Sequence, residues 1–237
     1  MRRFRRVIRF LDALLDRGML LLFLLLFLVG AYALYDSYLV YQSANDSSWL
    51  SYKPGYEGIA ADAKPLAGRM AAWLTIPDTN VDYPVMQGEN NQEYLTKDPF
   101  GEYSLAGSIF LDSRNDPLFT DSYSLIYGHH MEAGMMFGAL DAFSDPAYFK
   151  EHQTATLTVG EQTYTLTLFA FLEGAATEEA LFSPTECPVS VTLSFVREHA
   201  ALFDEEHAPG MEDSIVALST CKYPDTVERT LLFYKVS

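Results

Sequence analysis

An uninterrupted apolar segment near the N-terminus constrains the fold more than any other feature of this 237-residue sequence. Residues 19–35 read MLLLFLLLFLVGAYALY and contain neither a charged side chain nor a proline. A helix of this length spans roughly 26 Å, close to the thickness of the hydrocarbon core of a bilayer. A helix in a soluble core would have a polar face, and this segment has none. We therefore predict a transmembrane helix over residues 18–35.

The charges around this segment predict its orientation. Residues 1–17 contain six arginines against Asp12 and Asp16, and Asp36 follows the apolar run. Positive charge marks the cytoplasmic side of a membrane helix. We therefore predict a basic cytoplasmic tail, a single crossing of the cell membrane and an extracellular remainder. The alternative is a cleaved signal peptide, although the run is long for one and no small-residue cleavage site directly follows it.

The remainder of the chain is strongly acidic. The whole chain has 16 basic and 32 acidic side chains, so that 10 basic and 30 acidic ones lie beyond residue 17. A domain with this charge repels nucleic acid, and we expect no nucleic-acid partner. Two cysteines are too few for a disulfide scaffold, whereas 16 Phe and 15 Tyr can fill a substantial core.

Eight short segments have the composition of β-strands. They are rich in β-branched and aromatic residues and are separated by turn signals such as residues 77–80. The predicted strands are residues 72–76, 81–86, 108–111, 123–127, 154–159, 163–172, 214–219 and 230–236. Helical spacing is evident in residues 136–143 and 191–203. We predict a mainly β domain over residues 71–237, an eight-stranded barrel with a few helices, behind a stalk of residues 36–70.

Cys221 is the candidate nucleophile. It ends the stretch Leu-Ser-Thr-Cys at the end of a predicted strand, where an exposed thiolate is a good nucleophile. The alternative, a buried structural thiol, suits Cys187 better, because that cysteine precedes Pro188 and has no basic neighbour. A Cys187–Cys221 disulfide outside the cell is a further alternative.

Two basic side chains are candidates to assist such a thiolate. His129 follows Tyr-Gly at the end of a predicted strand, where the glycine favours a tight exit, and imidazole transfers protons near neutral pH. Metal binding by His129 and His130 is the alternative, but no further ligands stand at suitable spacing, so we predict no metal site. Arg229 begins the next predicted strand, and a hairpin would bring its guanidinium beside Cys221 to stabilise an oxyanion. A surface ion pair with Glu228 or Asp225 is the alternative.

These three elements together resemble the sortase family, the cysteine transpeptidases of Gram-positive bacteria. Leu218–Cys221 is similar to the family's TLxTC signature, although Ala217 stands in place of its first Thr. Between residues 72 and 140 the resemblance is to class B, in the ordered segments AWLTIPDTNVDYPVMQG, EYL, GSIFLDSRND and LIYGHHMEAGMMFGAL. The Asp98-Pro99-Phe100 motif, which class C enzymes carry in a lid before the barrel, follows the first strands here and predicts a turn.

The resemblance implies a sortase-type β-barrel in which Cys221 is the nucleophile, His129 the acid and base, and Arg229 the oxyanion stabiliser, with no cofactor. It implies cleavage of a C-terminal sorting signal after Thr through a thioacyl-enzyme. The secreted protein is then transferred to an amine of a peptidoglycan precursor or a pilin lysine. The predicted substrate-binding residues are Asn91, Leu95, Ser219, Thr220 and Tyr223, and residues 175–197 are expected to form the other side of the groove. The alternatives are a surface thiol peptidase and a non-catalytic, membrane-tethered binding module.

Overall fold

The computed structural model describes residues 2–44, 48–56, 64–210, 212–221 and 227–237, and it contains two compact units, Met1–Gln42 and Ser43–Ser237. The first unit is formed by helix α1 (Arg2–Ala44), whose 43 residues are continuous through the predicted tail and anchor. By length and composition it is able to cross a membrane between Phe4 and Gln42, although a signal sequence passes the same test. Helix α1 is therefore a candidate membrane anchor.

The second unit is built on strands that close into a barrel. Eight strands pair in the order β5-β1-β2-β3-β4-β8-β9-β6, and β6 pairs back to β5. All eight predicted strands are present, which confirms the barrel. A two-residue strand, β7, is added at β6. The strands are β1 (Arg69–Thr75), β2 (Asp82–Gln87), β3 (Ile109–Leu111), β4 (Tyr123–Tyr127), β5 (Thr154–Val159), β6 (Gln162–Ala175), β7 (Leu202–Phe203), β8 (Ile215–Cys221) and β9 (Glu228–Val236).

The helices of this unit are short. Three are α-helices: α2 (Pro146–Glu151), α3 (Glu179–Phe182) and α4 (Val189–His199). The 3-10 helices are Ser48–Tyr52, Glu93–Leu95, Glu132–Gly134 and Phe137–Ser144. The prediction of a helix over residues 191–203 was wrong at its C-terminal end. Ala200 is extended, and the next residues pair with β6 as β7, so sheet hydrogen bonds replace the last turn.

Strand β8 is buried on both of its faces. Successive side chains of a strand point to opposite faces of the sheet. Val216 and Leu218 pack into the main core, whereas Ile215 and Ala217 join a second cluster that contains Leu181 of α3 and Val196 of α4. Helices α3 and α4 therefore pack against the same sheet strands that carry the Leu-Ser-Thr-Cys stretch.

Part of the predicted stalk is docked onto the barrel. Trp49 is only 7% exposed, and its ring lies 5.6 Å from that of Tyr83. The Lys53 ammonium lies 2.8 and 2.7 Å from the two carboxylate oxygens of Asp82 on β2, and the indole N–H of Trp73 donates to the same carboxylate at 2.8 Å. The segment that leads into β1 thus contributes to the core of the barrel unit.

Candidate active site

The ends of three neighbouring strands converge on one cavity. Strand β8 lies between β4, with which it runs parallel, and β9, with which it runs antiparallel. Its register places Ser219 opposite Tyr127 and Cys221 opposite Arg229, and the Gly128 N–H donates to the Ser219 carbonyl oxygen at 3.1 Å. Strand pairing therefore brings three candidate segments together that are up to 100 residues apart, as counted from His129 to Arg229.

The cavity beside these strand ends has a volume of about 370 Å³. Six residues predicted from the sequence line it: Asn91, Leu95, His129, Ser219, Thr220 and Arg229. The backbone of Cys221 ends β8 next to them, whereas its side chain and the whole of Tyr223 lie outside the described residues. The structure thus brings together all the predicted site residues whose side chains it describes.

The ring of His129 is oriented by one backbone contact. Its Nε2 lies 2.7 Å from the carbonyl oxygen of Leu95. A carbonyl oxygen only accepts, so Nε2 carries a hydrogen, and Nδ1 is the nitrogen free to exchange a proton. Gly107 supports this arrangement with a φ of +61°, since a Cβ there would lie 2.8 Å from the Leu95 carbonyl oxygen and 3.0 Å from Cδ2 of the imidazole.

Gly128 is required by packing rather than by an unusual backbone conformation. It is not among the glycines with positive φ, so the tight strand exit expected from the sequence does not depend on a left-handed conformation here. A Cβ at this position would lie 2.5 Å from Cδ1 of Ile109 and 2.7 Å from Cδ2 of Phe137, and both side chains are buried. The absence of a side chain thus lets the barrel core pack directly against the backbone before His129.

The two adjacent histidines have separate partners. Nε2 of His130 lies 2.7 Å from the carboxylate of Asp141, whereas His129 contacts the Leu95 carbonyl. Within the described ranges no group of three or more His, Cys, Asp or Glu side chains is arranged to hold a metal ion. The arrangement therefore leaves His129 available for proton transfer in the cavity.

The polar residues that line the cavity include Arg229, Ser219 and Thr220. Arg229 is half-buried, and its Nη1 donates to the carbonyl oxygen of Glu228 at 3.1 Å. Ser219 and Thr220 are 1% and 2% exposed, and their hydroxyls find no hydrogen-bond partner in the described part of the chain. Both hydroxyl oxygens are closed to solvent, and as neighbours on β8 the two side chains point to opposite faces of the sheet, so neither hydroxyl is exposed to the cavity.

The lining also includes apolar residues, most of which the sequence did not reveal. The rings of Phe110 and Tyr127 lie 5.3 Å apart, and Phe182 and Ala176 complete this wall. The last two fall within residues 175–197, the segment expected to flank the groove, although no single residue there could be chosen from the sequence. A cavity lined by both apolar and polar residues suits a peptide, because apolar side chains need apolar contacts and the backbone needs hydrogen-bond partners.

A fully buried carboxylate behind this wall was also missed. Asp112 accepts from Nδ2 of Asn91 at 2.8 Å, from the hydroxyl of Tyr127 at 3.0 Å, and from Nε and Nη2 of Arg114 at 2.9 and 2.8 Å. Burial by itself would raise the pKa of Asp112, but the hydrogen bonds from Arg114 and Asn91 hold the pKa below its ordinary value. Burial, followed by the nearby Asp112 charge, raises the pKa of the Tyr127 phenol well above its usual range. Asp112 is therefore ionised and Tyr127 neutral at physiological pH.

Cys187 lies apart from these groups. It carries a free thiol, is half-buried rather than buried, and its Sγ lies 3.8 Å from the carbonyl oxygen of Pro188.

Comparison with known proteins places this arrangement in a family. The family model of the Sortase domain matches residues 74–235, which include strands β2 to β8, nearly all of β9 and all the cavity residues named above. The chain belongs to the sortase family. Its relatives include Sortase B of Listeria monocytogenes, 35% identical over 68% of this chain and 65% of the relative, and Sortase B of Staphylococcus aureus, 25% identical over 78% and 75%. The chain thus spans just under two thirds of the Listeria protein.

Solved structures agree with class B. A Streptococcus pyogenes class B sortase involved in pilus biogenesis is 36% identical, with a TM-score of 0.63 over 70% of this chain and 91% of its own. The sortase B–substrate complex of Staphylococcus aureus is 25% identical, with a TM-score of 0.64 over 71% and 79%. The predicted resemblance to class B sortases is confirmed.

Proposed function

We propose that this sortase is a cysteine transpeptidase that cleaves a sorting signal near the C-terminus of secreted proteins and transfers them to an amine. The observation that supports this proposal most strongly is the cavity lined by His129, Arg229, Ser219 and Thr220, beside the backbone of Cys221. Its volume of about 370 Å³ is in the range of small-molecule and short-peptide subsites. The chemistry needs a thiolate, a proton donor and an oxyanion stabiliser, and no cofactor.

In the first half-reaction, the Cys221 thiolate attacks the carbonyl carbon of the signal's threonine. The guanidinium of Arg229 stabilises the resulting oxyanion. When the C–N bond breaks, Nδ1 of the His129 imidazolium donates its proton to the leaving amine, while Nε2 remains hydrogen-bonded to Leu95. The products are a thioester on Cys221, a neutral imidazole and the released C-terminal fragment.

In the second half-reaction, an amine attacks the thioester carbon. His129 takes the proton that the amine loses, and the Cys221 thiolate leaves as the new amide bond forms. The acceptor is the amine of a peptidoglycan precursor or a pilin lysine, and one relative of this chain is involved in pilus biogenesis. We assign Asn91, Leu95, Ser219, Thr220 and Tyr223 to the binding of the signal.

The membrane placement follows from α1. We propose that residues 1–17 lie in the cytoplasm, that residues 18–35 cross the cell membrane once, and that residues 71–237 form the extracellular catalytic barrel behind residues 36–70. Six arginines before the apolar run support this orientation. It places the cavity on the side of the membrane where secreted substrates and cell-wall amines are found.

The test is intact-mass analysis of the full chain, in detergent, with a library of sorting-signal peptides and with or without an added amine. We expect a thioacyl adduct and, with amine, a transfer product. Cys221→Ala should abolish both. Cys187→Ala is the matched control, because it removes the other cysteine of the chain and should retain them.

The alternatives predict different products. A thiol peptidase would release the same hydrolysed peptide at every amine concentration. A non-catalytic binding module would form no adduct, and its Cys221 would not react with a thiol probe. Either result would contradict transpeptidation.

A further inference from the structure

We propose that Asp112 and Arg114 are positioning residues for substrate binding. They form an ion pair outside the cavity, and this pair holds in register three segments that line it, here called the peptide-binding wall and represented by Asn91, Tyr127 and Phe182. The inference rests on the proposed function and extends it, because it assigns substrate affinity to two residues that do not line the cavity. Asp112 directly follows strand β3, and Arg114 lies in the turn after it.

The pair contacts three wall residues from three different segments. Asp112 accepts from the Asn91 side-chain amide, which follows β2, and from the Tyr127 hydroxyl at the end of β4. Arg114 donates from Nη2 to the backbone carbonyl of Phe182 at the end of α3 at 2.7 Å. Asn91, Tyr127 and Phe182 all line the cavity. Movement of any one of these segments would break a charge-assisted hydrogen bond.

The Asp112 carboxylate also helps to set the orientation of the Asn91 side-chain amide. An ionised carboxylate only accepts, so it selects the NH₂ end of Asn91, while the backbone N–H of Ser113 donates to Oδ1 of the same amide at 2.7 Å. One N–H and one lone pair of Asn91 remain for a ligand in a fixed direction. An amide at position 112 would both donate and accept, so the Ser113 N–H alone would then select the orientation of Asn91, and the charge-assisted contact that anchors its NH₂ end would be lost.

The same contact shapes the apolar side. Because the Tyr127 hydroxyl donates to Asp112, it is directed away from the ligand, and the phenol presents its ring beside Phe110 and Phe182. Arg114 fixes the position of Phe182, since its planar guanidinium contacts Asp112 through two nitrogens and still reaches the α3 carbonyl. The wall is thus built for an apolar or planar side chain of the peptide, at a set width.

The first test compares Asp112→Asn with wild type in steady-state transfer by the full chain. We expect KM for the sorting peptide to rise about tenfold, while kcat changes by less than about twofold, since only binding is weakened. Asp82→Asn is the matched control, because that carboxylate also accepts from a cation and two further side chains, but none of its partners lines the cavity. It should lower the melting temperature and leave KM unchanged.

Two further variants separate positioning from general loss of structure. In an Asn91→Ala background, Asp112→Asn should raise KM by clearly less than it does alone, because part of its effect acts through Asn91. Arg114→Lys retains a cation beside Asp112 but loses the bidentate contact and the reach to Phe182, and it should raise KM about threefold. It also serves as the second variant if Asp112→Asn does not fold.

The inference is overturned if Asp112→Asn and Arg114→Lys leave KM unchanged, or if they lower kcat by the same factor as kcat/KM. A measurement that does not depend on catalysis separates failure of this inference from failure of the proposed function. In NMR spectra of the wild type, one Nδ2 proton of Asn91 should exchange slowly with solvent, and Asp112→Asn should accelerate that exchange. If the wild type transfers no peptide, the proposed function fails, and unchanged Asn91 exchange in the variant would then still refute the positioning role.

Discussion

Replacing Gly128 with alanine tests whether the barrel core is closely packed against the backbone that follows β4. The new Cβ would lie 2.5 Å from Cδ1 of Ile109, 2.7 Å from Cδ2 of Phe137 and 2.8 Å from its Cγ. Carbon atoms in contact normally stay about 3.5–4.0 Å apart, so one of these groups must move. Phe137 is fully buried and Ile109 is 1% exposed, so neither can turn into solvent.

The expected loss of stability is the difference between two effects. Inserting a methyl group into a well-packed core typically costs about 1–3 kcal/mol. Replacing glycine with alanine where φ is not positive restricts the unfolded chain and recovers about 0.4–1 kcal/mol. We therefore expect Gly128→Ala to lower the free energy of unfolding by about 1–2 kcal/mol, or the melting temperature by about 3–6 °C for a domain of this size.

The assay is urea unfolding of the full chain in detergent, with tryptophan fluorescence as the signal that reports unfolding. Ile109→Val removes the closest atom, Cδ1, and by itself should cost about 0.5–1.5 kcal/mol. In the Gly128→Ala background the same change should cost little or stabilise, which gives a coupling of about 1 kcal/mol in the double-mutant cycle. Phe137 still crowds the new methyl, so the rescue should be partial.

The reasoning would be refuted if the two substitutions were additive, or if Gly128→Ala were neutral. Gly160→Ala is the comparison for a backbone effect. That glycine has a φ of +60° and open space where a Cβ would be, so its cost cannot depend on packing. A Gly128 variant that Ile109→Val cannot rescue would behave like Gly160, and a special backbone conformation at the strand end would then be the better account.

Three further outcomes are expected. Trp49→Ala should lower the free energy of unfolding in urea by about 3 kcal/mol, because the 7% exposed indole joins the N-terminal segment to the core. Gly138→Ala should cost more than Gly128→Ala, about 3 kcal/mol or above in the same assay, because its Cβ would meet the backbone oxygen of Met131 at 1.8 Å, which no side-chain rotation relieves. The pKa of Asp112 in the folded protein lies below its ordinary value of 3.8, so its contribution to the free energy of unfolding is full above pH 3.8 and is lost as pH falls through the folded pKa. Asp112→Asn should therefore make stability depend less on pH in this acid range, which thermal melts between pH 2 and 5 would show.

The barrel strands were predictable because their signals are local. As a set, the strand segments are rich in β-branched and aromatic residues and are separated by turn signals, and each strand lies within a few residues of its predicted bounds. The boundary of α4 was not predictable, because residues 191–203 keep helical spacing throughout. What ends the helix is the pairing of Leu202 with Phe171 of β6, a contact that the local sequence does not contain.

The same distinction applies to the site. Cys221, His129 and Arg229 are predictable because each stands near a predicted strand end and because the three together resemble the sortase triad, and strand pairing brings such ends together. The contact of Arg114 with Phe182 spans 68 residues and depends on how α3 packs, so residue spacing gives no hint of it. The segment GSIFLDSRND shows a charged pair directly after a buried strand, and that is the one signal that was available.

The energetics of the buried pair support a role in positioning rather than in stability. Removing a carboxylate from water costs several kcal/mol, and apolar residues of similar volume often stabilise a protein at least as well as a buried ion pair does. Asp112 is nevertheless fully buried, and it offsets this cost with donors from Arg114, Asn91 and Tyr127. An apolar replacement could fill the same volume, but it could not accept a hydrogen bond from the Asn91 amide or from the Tyr127 hydroxyl. The pair therefore has its physical rationale in the geometry of the wall, where a small displacement changes what a peptide contacts.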